Sequence, residues 1–370
     1  MDPATLEHLL IREIRKFPGI SRRDLADRLE VARSTAGRRV DSMIAVGIIE
    51  ETGIEHTAEA GRPKRQLKLR GDYGTFIGFD FDARHIYGTL VDFAQSTLEE
   101  IKIPLTIGPC KDEVIDHLKE TIDHFSHAGR GKLHGIGIGV PGLIHQQKRI
   151  AVGYPYISDW KNVDLCGELG LSPELLRIEH NTKAMALGDY WLEGPSRVEN
   201  LICLNVRTGI SAAIISEGHL IRGAHELAGE IRGWSVRDAT SGSEKPASLE
   251  DCATVLAISP EGLTTPEVWD EFVENCQQGE QEALDHLAVI VNHHSDTIAR
   301  LCQVSDPEVV VIAGAFNKIG APYLDQVREA TATALLGQFL SPPPIRFVSL
   351  GQFSGAYGAA ALAAQHFKPA

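Results

Sequence analysis

Residues 133–160, LHGIGIGVPGLIHQQKRIAVGYPYISDW, constrain this chain more than any other stretch. Ile136, Ile138 and Val140 are apolar at every second position, the period of a buried strand. Pro141-Gly142 stops that strand. A glycine there lets backbone amides approach a ligand, because no Cβ stands in the way. Downstream, Arg177-Ile178-Glu179-His180 reads as a second short strand that delivers Asn181 to the start of a helix. A strand end running into a helix start is where open α/β sheets hold ligand groups. The fold class expected is therefore α/β, with a site at this junction.

Length and composition set the outer bounds. A chain of 370 residues has room for two or three domains. No apolar run approaches the length of a membrane span, and the N-terminus lacks the apolar core of a signal peptide. Six scattered cysteines with no C-x-x-C pair read as reduced thiols, so a cytoplasmic location is expected. The net charge of −14 argues against a nucleic-acid binder, but its distribution argues the other way. Residues 1–70 carry fourteen Lys and Arg against eleven Asp and Glu, a net of +3, which leaves −17 on the remainder. A basic head on an acidic body suggests a DNA-contacting module attached to a part that repels DNA.

The head, residues 1–71, reads as a winged helix-turn-helix. Leu6, Leu10, Ile14 and Phe17 have helical spacing, and Pro18-Gly19 ends that helix. Ser21 is a good N-cap for a second helix, with Asp24 three residues on. A short turn at 30–32 leads to a third helix whose buried stripe is Ala36, Val40, Met43 and Ile44. Two helices joined by so tight a turn form a helix-turn-helix. Arg33, Ser34, Thr35, Arg38 and Arg39 lie off the stripe, where they can contact phosphates and base edges, and Arg22 on the second helix joins them. Ala32 stands where a capping Ser would suit the third helix. Two alternating strands, before and after Gly61-Arg62-Pro63-Lys64, make the wing, with Arg62 and Lys64 as further DNA candidates.

The segments G-I-G-V-P-G and Y-P-Y-I-S-D-W-K-N resemble the signature of the ROK family, bacterial sugar kinases and sugar-responsive repressors. The resemblance implies a two-lobed actin-like, ribonuclease-H-like body, with lobes at 75–195 and 196–370. It also shows what has been lost. ROK kinases carry D-x-G-G-T to cradle ATP phosphates, whereas this chain has Asp80-Phe81-Asp82-Ala83-Arg84, where Asp82 adds like charge. The family's general-base Asp is replaced by Asn181, in Glu179-His180-Asn181-Thr182-Lys183. An amide cannot accept a proton near neutral pH. The glycine loop L-G-T-G-V-G becomes Val206-Arg207-Thr208-Gly209-Ile210-Ser211. Three damaged parts imply no catalysis and no nucleotide cofactor.

The sugar side fares better. Arg222 to Ile231 matches the family segment R-G-x-x-x-x-A-G-E-I, which implies that Glu230 binds sugar hydroxyls. Ser248-Leu249-Glu250 matches C-L-E, so Glu250 is the second carboxylate. Asn181 can still hydrogen-bond a hydroxyl, and His180 is either a sugar contact or a satisfied core histidine. The family's zinc motif is absent, because residues 237–246 hold no Cys or His, so no metal is expected. The expected partners are palindromic double-stranded DNA, a sugar or sugar phosphate effector, and further copies of the chain in a homodimer or homotetramer. An active sugar kinase and a ligandless docking scaffold are the rival readings.

Overall fold

The computed structural model describes residues 3–55, 64–129, 131–192, 198–237, 246–259, 266–336 and 341–369. The head contains the three expected helices, Pro3–Lys16, Arg22–Arg28 and Arg33–Ala45. They are followed by the antiparallel strands Ile49–Glu55 and Lys64–Leu69. Ser21 caps the second helix by accepting from the Asp24 amide at 3.2 Å. The third helix begins at Ala32 with no side-chain cap. Packing must therefore hold its first turn, and Ala36, Val40 and Met43 are buried.

Two five-stranded sheets form the body, and they share one pattern. The first runs Leu176–His180, Lys132–Val140, Gly74–Phe81, His85–Asp92, Thr97–Pro104. Its first two pairings are parallel and the others antiparallel. The second runs His219–Leu220, Ile210–Ser216, Leu201–Val206, Val309–Gly314, Ile345–Phe347, again with two parallel and two antiparallel pairings. The sequence signal for two like lobes thus corresponds to a repeated topology. Parallel strands need both faces covered. Leu201–Val206 and Val309–Gly314 are accordingly almost wholly buried, and each lobe has its own apolar core.

Two helices lie between the sheets. Asn181–Leu192, the pocket helix, starts directly where strand Leu176–His180 ends. Ser354–Gln365, the C-terminal helix, is built from small residues and is buried along most of its length. The two pack backbone to backbone: a Cβ on Gly358 would overlap the Ala184 carbonyl. Gly78 and Gly137 of the first sheet are just as close to the C-terminal helix, so its surroundings admit nothing larger. This helix lies after the second lobe in sequence yet packs on the first. The span 196–370 therefore does not stay within one lobe.

The same helix carries the head. Its Tyr357, Ala360, Ala363 and Ala364 share one buried cluster with Leu10, Ile14 and Leu67 of the head and Phe76 and Phe93 of the body. Arg15 crosses this seam, donating to the Ala364 carbonyl at 2.9 Å and the Phe93 carbonyl at 3.3 Å. Burial lowers its pKa to about 10. His8 Nδ1 donates to the Phe367 carbonyl at 2.9 Å. The link between head and body at residues 71–74 is thus bridged by packing. Among the described residues, no helix is long and apolar enough to cross a membrane.

Candidate functional site

The strand–loop–helix junction singled out by the sequence opens onto a cavity of about 740 Å³ between the lobes. Gly142 at its edge adopts φ +74°, and a Cβ there would overlap the Gly153 carbonyl, which accounts for the glycine. His180, Asn181, Glu230 and Glu250 all line this cavity. Four residues spread over seventy positions of sequence are therefore gathered in one place, from both lobes.

Each is held by its neighbours. Asn181 Oδ1 accepts from the Thr182 amide at 2.8 Å, which fixes the amide orientation and leaves Nδ2 without a bond to described residues. His180 Nδ1 accepts from the same amide at 3.3 Å. The imidazole proton then sits on Nε2, 3.2 Å from Glu230 Oε1. Burial, aided by the Lys183 charge, drops the His180 pKa to about 3, so the ring is neutral. His180 is hydrogen-bonded within the chain and also lines the cavity. Burial raises the pKa of Glu230 against the pull of Arg232 and Lys183. Burial likewise raises Glu250, against the Tyr156 hydroxyl that donates to its Oε1 at 3.1 Å and the charge of Arg232. Behind them Asn205 donates to Thr182 Oγ1 at 3.0 Å, which lies 2.6 Å from Ser211 Oγ, while Asn205 Oδ1 is buried with no partner among the described residues.

Sequence reasoning missed Tyr156, Arg232 and Asn205. Tyr156 stands inside the Y-P-Y-I-S-D-W-K-N segment and Arg232 two residues after Glu230, so proximity to matched motifs was the available signal. Nothing local marked Asn205.

Arg207 lines the same cavity and ties the two lobes together. Its Nη2 donates to Asp80 Oδ2 at 2.6 Å, and its Nη1 lies 3.5 Å from Asp82 Oδ2. Asp80 comes from the first lobe and its side chain is fully buried; Arg207 comes from the second. Burial pushes the Asp80 carboxyl up to about 6 while the Arg207 charge pulls it down. The two carboxylates hold Arg207 firmly protonated, and their bond makes the pair an ionic clamp. This corrects the expectation that Asp82 contributes bare negative charge. Arg207 offsets it, and Asp82 Oδ1 also accepts from the amides of Arg84 and His85 at 2.8 and 2.9 Å.

On the head, the candidate DNA contacts divide by pairing. Ser34 and Arg38 are exposed on the third helix, and Arg38 forms no ion pair with any described residue. Arg33 pairs with Asp27 at 3.2 Å, and Arg39 with Glu7 at 3.3 Å. Arg22 lies 2.6 Å from Asp41 and 2.9 Å from Glu51, bracing the helices against the wing. Thr35 is half-buried in the first turn of the third helix. Lys64 begins the second wing strand, opposite Glu55. Arg62 lies outside the described residues, as does most of the segment that replaces the zinc motif.

Comparison with known proteins agrees with this division. A winged helix-turn-helix DNA-binding domain matches residues 5–50, and the ROK family matches residues 76–366. The xylose repressor of Caldicellulosiruptor bescii is 25% identical over 354 residues, 87% of this chain and 88% of that protein. The glucokinase of Thermotoga maritima is 24% identical over 312 residues, covering 77% of this chain and 96% of the enzyme. A solved ROK family transcriptional regulator, described as a homologue of the E. coli Mlc protein, superposes with a TM-score of 0.78. At 19% identity, and with 98% of this chain and 96% of that one covered, the likeness is one of fold. The class defined is a winged-helix DNA-binding head on an actin-like body. The chain belongs to the ROK family, and its head places it with the family's DNA-binding transcriptional regulators.

Proposed function

We propose that this protein is a repressor whose operator binding is set by a sugar held between the lobes, and that it transfers no phosphoryl group. The observation carrying the reading is the asymmetry of the cleft. Hydroxyl-binding groups line one part of the cavity, while in another Arg207 is tied to Asp80 and Asp82, which stand where kinases carry a phosphate loop. Asn181 can donate to a sugar hydroxyl but cannot take its proton. Glu230 and Glu250 are acceptors for neighbouring hydroxyls. The named relatives make xylose the first sugar to try.

The route from sugar to DNA runs through two helices. The pocket helix begins at Asn181, packs against the C-terminal helix, and that helix meets the head. A sugar acts only if it binds two arrangements of these helices with different free energies. Two heads on a two-fold axis would read a palindromic operator, with Ser34 and Arg38 nearest the bases.

Fluorescence anisotropy with DNA from upstream of the gene, with and without xylose and other sugars, tests the reading. Salt-sensitive binding shifted by one sugar is the expected result. Operator binding that no sugar moves would leave a docking scaffold, and ATP-dependent phosphorylation of any sugar would restore the kinase. Arg38→Ala should weaken operator binding about tenfold or more and leave the thermal midpoint unchanged. Unaltered affinity would remove Arg38 from the interface.

A further inference from the structure

A second cavity, of about 800 Å³, lies where the head meets the body. One wall is the first helix of the head, through His8, Arg12 and Arg15. The opposite wall belongs to the body, through Arg149, Arg177 and Trp191, with Lys368 near the chain end. Its charge is opposite to that of its surroundings. Seven Lys and Arg side chains line it against three Glu among the described residues, although residues 71–370 carry a net charge of −17.

Many cations on this molecule, Arg22, Arg207 and Arg222 among them, pair with a carboxylate, but Arg149 and Arg177 bond carbonyls instead. Arg149 Nε donates to the Leu176 carbonyl at 2.9 Å and Nη1 to the Gln147 carbonyl at 3.2 Å. Arg177 Nη1 donates to the carbonyls of Pro173 and Leu176, each at 2.8 Å. Glu174 lies in the field of both but bonds its own backbone and Ser172 instead. Burial, then the Arg149 charge, lowers the Arg177 pKa. Arg149 is also held at φ +58°, a conformation disfavoured for a residue with a Cβ. The chain thus orients two guanidiniums side by side with no counter-carboxylate in ion-pair distance among the described residues.

Planar guanidinium forks match the oxygens of a phosphate. The volume suits a small molecule, and Trp191, Leu187 and Leu362 add an apolar wall. We infer that this cavity binds a small phosphorylated metabolite, separately from the sugar cleft, and that the occupant bridges head and body.

Inorganic pyrophosphate is the probe, titrated into the full chain without DNA or sugar, with sodium chloride holding ionic strength constant. The readouts are tryptophan fluorescence and thermal midpoint, so failure here leaves the repressor reading standing. A saturable fluorescence change that disappears in Trp191→Phe, with a matching rise in midpoint, is expected. The double variant Arg149→Gln, Arg177→Gln should bind about tenfold or more weaker. Both arginines also brace carbonyls, so Arg12→Gln with Lys368→Gln is a second variant, which breaks no buried bond and should bind severalfold weaker. Lys119→Gln, an exposed lysine outside the cavity, should change nothing. A response no different from that to chloride, one that survives Trp191→Phe, or full affinity in both arginine variants overturns the inference.

Discussion

The two ends of the interlobe cleft have opposite fates. At one, Asp80 and Asp82 of the first lobe are bound to Arg207 of the second, and the charge is satisfied inside the chain. At the other, His180, Asn181, Glu230 and Glu250 are positioned by their neighbours but left facing open space. On the proposed reading, the fold keeps the half of a kinase that recognises a sugar while the half that would hold phosphates is occupied by an ion pair. The difference lies in where each polar group finds its partner.

The largest test of that contrast is Arg207→Ala. It leaves Asp80 buried without a counter-charge and should cost about 3–5 kcal/mol of stability by urea denaturation. A cost below about 1 kcal/mol would show that the clamp is dispensable. Acid is the second lever. His180 and His294 are both neutral, with burial lowering their pKa values to about 3 and about 4 from the ordinary 6.5. The unfolded chain takes up protons below 6.5 and the folded chain does not, so stability is full above that pH and lost as pH falls. Each ring should cost about 2 kcal/mol between 6.5 and about pH 5. His180→Gln should remove about half of that slope in melts recorded across the range.

Tyr156→Phe removes the hydroxyl that holds Glu250 and should weaken sugar binding by about 1 kcal/mol, measured calorimetrically. No loss would place Glu250 outside the sugar contacts. The smallest expected effect is none at all. Asn181→Asp restores a carboxylate where kinases have one, yet with Arg207 in place it should give no ATP-dependent sugar phosphorylation. Measurable turnover would break the comparison, because the phosphate end would then be open.

Much of this was legible in the sequence because it is local. Helical stripes in the head, alternating strands in the body and three altered loops all lie within short windows. The four cavity residues were found because each sits in a short motif. The Asp80–Arg207 clamp was not legible, since its partners are 127 residues apart and the loop around Arg207 reads only as a loss of glycine. Nor was the basic cavity, whose lining comes from the first helix of the head and from several widely separated segments of the body. The destination of the C-terminal helix was hidden for a different reason. Small residues announce close packing but not against what.

That helix also has a consequence for how the protein is made. It completes the first lobe and the seat of the head, yet it is synthesised after the whole second lobe. During translation the glycines of the first sheet, the pocket helix and the apolar face of the head must wait, uncovered, for a segment still in the ribosome. A prematurely ended chain would therefore release a head with nothing to rest on, able to recognise DNA but cut off from the cleft. Late placement of one small-residue helix makes the joining of head and cleft wait until translation has passed residue 365.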